Sequence, residues 1–209
     1  MTLFLNAPNF QKFFIYISEK KKERRILVRD LIKKVQSGDE LAFKQLTATI
    51  ENDLYKIART RLNNYEDIKD AVQNTMIIIY EKSKKIRNIE YFKTWMFKVL
   101  INECNKIYNS NKKNIEVYNQ IVTDYDFNTY EDSIQDAQNR INFESIINKL
   151  NYEEKIVLTL YYNSNLSCKQ ISNILKTNVN TIKSRLTRSK NKLKKYYEED
   201  LKNEERRLR

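Results

Sequence analysis

Four side chains in the C-terminal third, Lys183, Ser184, Thr187 and Arg188, fall at the spacing that gathers them on one helix face, away from Ile182 and Leu186. Between Lys176 and Lys195 the chain carries Lys176, Lys183, Arg185, Arg188, Lys190, Lys192, Lys194 and Lys195, and no acidic residue. A row able to hydrogen-bond base edges, flanked by cations that neutralise phosphates, is the chemistry of duplex nucleic acid recognition; Arg185 and Lys190 suit phosphates. Other chemistry is sparse. There is no histidine, and Cys104 and Cys168 stand alone, which excludes the common zinc spacings, histidine-dependent catalysis and a disulfide framework. Asp67 and Asp70 share a helix face at i, i+3, but two carboxylates without a third ligand make a poor metal-dependent nuclease. No catalytic residue, metal ligand, cofactor or small-molecule substrate is expected.

The basic row needs a scaffold, and the residues before it supply one. Ser167 can cap a helix, and Gln170, three positions on, can reach back to the Ser167 amide. Ile171, Ile174 and Leu175 give that helix one apolar face. After a turn through Lys176 and Thr177, Asn178 can cap a second helix whose buried side is Ile182, Leu186 and Leu193, with Thr181 at its third position. Two helices and a short turn read as a helix-turn-helix, more than a solvated basic helix would require. Segments 140–150 (Ile141, Phe143, Ile146, Ile147, Leu150) and 153–162 (Ile156, Val157, Leu158, Leu160, Tyr161) supply helices to cover its apolar face.

The whole chain points to an all-α fold. Its 209 residues include one glycine (Gly38) and one proline (Pro8), so helix breakers are nearly absent. A net charge of +12 and a pI near 9.5 imply a polyanionic partner. Residues 3–17 lack an 18-residue apolar run, and their cations follow rather than precede the apolar stretch, which argues against a signal peptide or membrane insertion. Isolated cysteines fit a reduced cytoplasm. A short amphipathic helix is predicted over Val28–Gln36, ended by Gly38, with Asp39 capping the next helix, which buries Ala42, Phe43, Leu46, Ile50, Leu54, Ile57, Ala58 and Leu62. A turn at Asn63 and Asn64 precedes a regular stripe of Ile68, Ala71, Val72, Thr75, Met76, Ile79 and Tyr80. A polar connection, Ser83–Glu90, leads to a helix buried through Phe92, Trp95, Met96, Val99 and Leu100. Residues 114–139 hold six acidic residues and no basic one, and read as a flexible acidic linker. The expected division is an extension (1–27), a helical domain (28–113), the linker (114–139), a helix-turn-helix domain (140–198) and a charged tail (199–209).

These motifs resemble the extracytoplasmic-function (ECF) branch of the bacterial sigma-70 factors. TIKSRLTRSKNKL matches the family's T-V-K-S-R-L-x-R-A-x-x-x-L in region 4. SGDELAFKQL, DIKDAVQNTM and YFKTWMFKVLINEC match, in order, three motifs of region 2. The resemblance spans roughly Val28 to Tyr197. It departs at the helix-turn-helix turn, where the usual glycine is Lys176; at the small alanine of the first helix, here Ser172; and after Asn102, where Lys106 and Asn109 replace an aspartate and an arginine.

The resemblance implies a non-enzymatic factor that binds core RNA polymerase and directs promoter-specific initiation, with an anti-sigma factor as a further possible partner. Asp67, Asp70, Gln73, Asn74 and Thr75 would dock on the polymerase. Lys84, Lys85, Arg87, Asn88, Lys98 and Asn102 would meet the minus-10 element. Lys183, Ser184, Arg185, Thr187, Arg188 and Lys190 would meet the minus-35 element. A helix-turn-helix regulator acting without polymerase would share only the last set. Because the family pattern begins near Val28, deletion of residues 1–27 should leave run-off transcription within a few-fold of the full chain; complete loss would make the extension part of the mechanism.

Overall fold

The computed structural model describes residues 23, 26–115 and 149–207, and every regular element among them is helical. In chain order these are α1 (26–36), α2 (Glu40–Ala58), α3 (Tyr65–Lys82), α4 (Phe92–Ile115), α5 (Tyr152–Leu158), α6 (Cys168–Leu175) and α7 (Val179–Arg207). Two 3-10 turns, Ser83–Lys85 and Ile89–Tyr91, separate α3 from α4, and a π turn, Thr159–Asn163, follows α5. Most of the extension, nearly all of the acidic linker and most of the helix expected over 140–150 lie outside the described residues; the last two residues of the extension, 26 and 27, open α1.

The described residues divide into two compact units, one drawn from Met1–Asn52 and Met76–Phe92, the other from Asp53–Thr75 and Lys93–Arg209. In the first, α1 buries Leu31, Ile32 and Val35, and the start of α2 buries Ala42, Leu46 and Ile50. The junction between these helices follows from two residues. Gly38 adopts φ +94°, and its amide bonds the Val35 carbonyl at 3.0 Å, while Asp39 Oδ1 accepts from the Ala42 amide at 2.9 Å. Phe43, expected in the core, is half-buried and meets the ring of Tyr80 edge-on at 4.8 Å between centroids.

In the second unit, α4 buries Met96, Phe97, Leu100, Ile101 and Cys104, whereas Trp95 and Val99 are only half-buried. The stripe is therefore rotated by a fraction of a turn from the one predicted. Burial pushes the Cys104 thiol up to about 12. The Arg61 guanidinium stacks on the rings of Tyr108, at 3.7 Å, and Tyr152, at 4.4 Å. Burial likewise raises the Tyr152 phenol to about 12.

The helix-turn-helix forms as its sequence reads, although Leu175 and Leu193, expected on its apolar side, are only half-buried. Ser167 Oγ accepts from the Gln170 amide at 3.2 Å, and Gln170 Oε1 from the Ser167 amide at 2.9 Å. Asn178 Oδ1 accepts from the Asn180 amide at 2.8 Å and starts α7. Both α5 and α6 pack on α7. The 153–162 helix starts earlier and ends sooner than expected. Asn151 and Glu154 form a second capping box, and the chain widens into the π turn after Leu158. Residues 199–207, read from sequence as a tail, continue α7: the stretch holds good helix formers, and Lys195 pairs with Glu199 one turn on.

Lys176 closes α6 at φ +51°, a left-handed conformation that costs a β-carbon-bearing residue about 1–2 kcal/mol. Lys176→Gly should therefore raise the unfolding free energy by about 1 kcal/mol, less the added freedom of the unfolded glycine. Lys176→Val should lower it. Urea denaturation of the two variants checks both signs.

Candidate nucleic-acid interface

The roll of α7 sorts its side chains. Ile182, Leu186 and Ser189 are buried, and Lys183, Ser184, Thr187 and Arg188 are exposed together on the other side. Ser184 Oγ donates to the Asn180 carbonyl at 2.9 Å, and Arg188 Nε makes a long 3.4 Å contact with the Ser184 carbonyl. The exposed row is thus assembled as the spacing predicts.

Two cations near it are committed elsewhere. Arg185, expected on a phosphate, is half-buried and ion-paired to Glu153; the first turn of α5 lies against this part of α7 and presents its acids there. Lys192 Nζ lies 2.6 Å from Oε1 of the buried Glu154. Lys190 stays exposed but is steadied by the π turn, with its Nζ 5.5 Å and 5.4 Å from the ring centroids of Tyr161 and Tyr162. A hydrogen bond to Tyr162 raises the Lys190 ammonium above its ordinary value. Glu153, Glu154 and the two tyrosines were missed from sequence. The Asn151–Glu154 spacing announces the capping box, but no local pattern announces the ion pairs.

In the first unit, Lys84, Lys85, Arg87 and Asn88 are all exposed within the single loop between α3 and α4. Asn88 Oδ1 accepts from the Glu90 amide at 3.0 Å and caps the second 3-10 turn; its amide nitrogen takes no part in that bond. Ser83 is buried and its Oγ donates to the Tyr80 carbonyl at 2.9 Å. Gln36, at the end of α1, donates to the carbonyls of Ser83 and Ile86, at 3.1 Å and 2.7 Å. In the second unit, Lys98 and Asn102 are exposed one turn apart on α4.

The expected polymerase ridge is partly rearranged. Asp70, Gln73 and Asn74 are exposed on α3, but Thr75 is wholly buried and its Oγ1 donates to the Ala71 carbonyl at 2.7 Å. Position 75 lies three and four residues after Val72 and Ala71, on the apolar stripe, so its side chain cannot belong to the ridge. Asp67 is half-buried and accepts from Asn111 Nδ2 at 2.7 Å. Burial raises the Asp67 carboxyl above its ordinary value; the Asn111 bond opposes this, and the Asp70 charge adds to it. A raised carboxyl favours the protonated folded state, so its penalty is absent at low pH and grows as pH rises through the folded value. The stability difference between Asp67→Asn and the parent should shift in the variant's favour from about pH 3 to about pH 6. Urea titrations across that range check it; a pH-independent difference would mean that Asp67 is not desolvated.

Comparison with known proteins agrees with this arrangement. The sigma-70 region 2 family model matches residues 46–114, and the sigma-70 region 4 model matches residues 140–193. The chain is 27% identical over 171 residues to the ECF RNA polymerase sigma-E factor of Haemophilus influenzae, covering 77% of this chain and 89% of that one. It is 26% identical over 139 residues to the RNA polymerase sigma factor SigV of Bacillus subtilis, covering 66% and 81%. Among solved structures, its fold is similar to the sigma factor RpoE of Bartonella quintana in complex with the anti-sigma factor NepR (TM-score 0.59, 21% identity, 75% of this chain and 96% of that one). It is also similar to CnrH in complex with the cytosolic domain of CnrY (TM-score 0.57, 20% identity, 83% and 99%). With both region models matched in order, on the helices that expose the predicted rows, the chain belongs to the ECF branch of the sigma-70 family.

Proposed function

We infer that this sigma factor binds core RNA polymerase through the exposed ridge Asp70, Gln73 and Asn74 of α3, and directs promoter-specific initiation through two separate DNA-facing surfaces. Residues 28–113 carry the docking ridge and the minus-10 contacts, and residues 140–198 carry the minus-35 contacts. The observation that supports this best is the exposed row Lys183, Ser184, Thr187 and Arg188, held outward by a helix-turn-helix within the region 4 match. On the minus-10 side, Lys84, Lys85 and Arg87 suit phosphates of an opened strand, and the spare amide of Asn88 suits a base edge. Lys98 and Asn102 add a cation and an amide on α4. Asp67 serves the chain's own packing through Asn111 as much as any partner.

Among the described residues no helix is long and apolar enough to cross a membrane. The factor works in the cytoplasm, where its polymerase is. An anti-sigma factor, the kind of partner seen with the structural relatives, is its natural regulator.

Run-off transcription with core polymerase tests the reading: transcripts from a cognate promoter should require both proteins. Tight, specific binding of the isolated chain to one promoter at about nanomolar concentration would instead favour a polymerase-independent regulator. Within the holoenzyme, Arg188→Ala should cost about 1–3 kcal/mol on the cognate minus-35 element and little on a scrambled one. Lys190→Ala should weaken both about equally and flatten the salt dependence. Equal losses for Arg188→Ala on the two DNAs would mean that another face of α7 reads the bases.

A further inference from the structure

The loop between α3 and α4 is short, strongly basic, and fixed by a residue distant in sequence. Gln36 sits 47 and 50 positions away from the two carbonyls it binds. A primary amide has two N–H donors, and here one nitrogen meets Ser83 O at 3.1 Å and Ile86 O at 2.7 Å. Those carbonyls bracket Lys84 and Lys85. Ser83 O also accepts from the Ile86 amide at 3.1 Å, so the Gln36 bonds close over a tight turn. At Ile86 the chain passes from the 3-10 turn to an extended conformation (φ −75°, ψ 101°) and exposes Arg87 and Asn88. A second tether, Arg29 to Glu90 at 3.2 Å, is more than half exposed at both ends and contributes little.

The geometry points to Gln36 as a positioning residue for recognition of the minus-10 element. Its amide turns the Ser83 and Ile86 carbonyls inward, and so fixes the backbone from which Lys84, Lys85, Arg87 and Asn88 project before any DNA arrives. Such pre-organisation lowers the ordering cost of binding and sharpens discrimination, because a loop held in one shape cannot adapt to the wrong base. The inference rests on the proposed minus-10 role of the loop. It adds a residue on α1, which makes none of the proposed DNA contacts and precedes the region 2 match at residue 46.

The test is Gln36→Met, which keeps the side chain's length and removes both donors. Full-length variant and parent, each with core polymerase, are assayed by run-off on three templates: cognate, minus-10 scrambled, and minus-35 scrambled. We expect the cognate to minus-10-scrambled ratio to fall roughly tenfold, with the minus-35 ratio unchanged within about twofold. A variant that merely folds less well would lower all rates and leave both ratios where they were, and that result overturns the inference. Hydrogen exchange of the isolated chains gives an independent reading. Amides 84–88 should exchange faster in the variant without DNA, and unchanged exchange would also overturn it. If the parent with core shows no promoter preference at all, the functional reading itself fails. If the parent discriminates but the variant discriminates equally well, only the role of Gln36 fails.

Discussion

The roll of α7 about its own axis is the constraint on which the proposed recognition depends. Each residue along a helix turns the face by about 100°, so a slip of one position would bring the buried Ser189 outward and turn Arg188 toward the scaffold. Apolar contact at Ile182 and Leu186 sets the roll coarsely, since such contact is nondirectional. The two acids that open α5 set it finely. Glu153 holds Arg185, and Glu154, buried and tied to its own helix start through Asn151, holds Lys192 two turns further on. Glu154 is the buried one, so removing Lys192 would leave a desolvated charge, whereas Glu153 is exposed and its pair with Arg185 contributes less. On the proposed reading, the residues that set which side chains of α7 face the DNA thus include two carboxylates of the scaffold.

This division of labour changes how the charge of the chain should be counted. A net +12 describes long-range attraction to a polyanion, which salt screens over about 8–10 Å. At contact distance the cations differ in kind. Arg185 and Lys192 are ion-paired to the start of α5, Lys190 is braced by two tyrosine rings, and Lys183 and Arg188 reach outward from the helix. Only part of the basic stretch is available for counterion release, so the salt dependence of binding should be shallower than the number of lysines and arginines implies.

What was legible in the sequence was whatever a helix does to its own neighbours. Gly38 and Asp39 at one junction, Ser167 with Gln170, and Asn178 at the start of α7 all act within four residues, and each behaves as its type and spacing predict. The apolar stripes of α2 and α3 were plain at their centres, because 3.6-residue periodicity is local, but not at their margins: Phe43 and Met76 are half-buried and Tyr80 is exposed. Misreadings began where a second element chose the face. Trp95 looked central to α4, yet its burial is completed by Phe97 and Ile101 on a slightly rotated stripe. Thr75 fell on the apolar stripe by its spacing and on the polymerase ridge only by resemblance; the spacing was right, since its hydroxyl is satisfied in the core by the Ala71 carbonyl one turn back. Gln36 and Arg185 have partners dozens of residues away, and no window of sequence contains both ends of either contact.

The thiol buried in α4 turns the chain into its own clock. With burial pushing the Cys104 thiol up to about 12, the reactive thiolate is scarce at neutral pH, and the buried sulfur is shielded from reagents as well. Oxidants and alkylating agents must therefore wait for the core around α4 to part, and the rate of modification becomes the rate of that opening. Cys168, half-buried at the first position of α6, offers no such delay. An oxidative pulse would mark the helix-turn-helix first and reach α4 only in molecules that had already opened, leaving a chemical record of which part of the fold yielded.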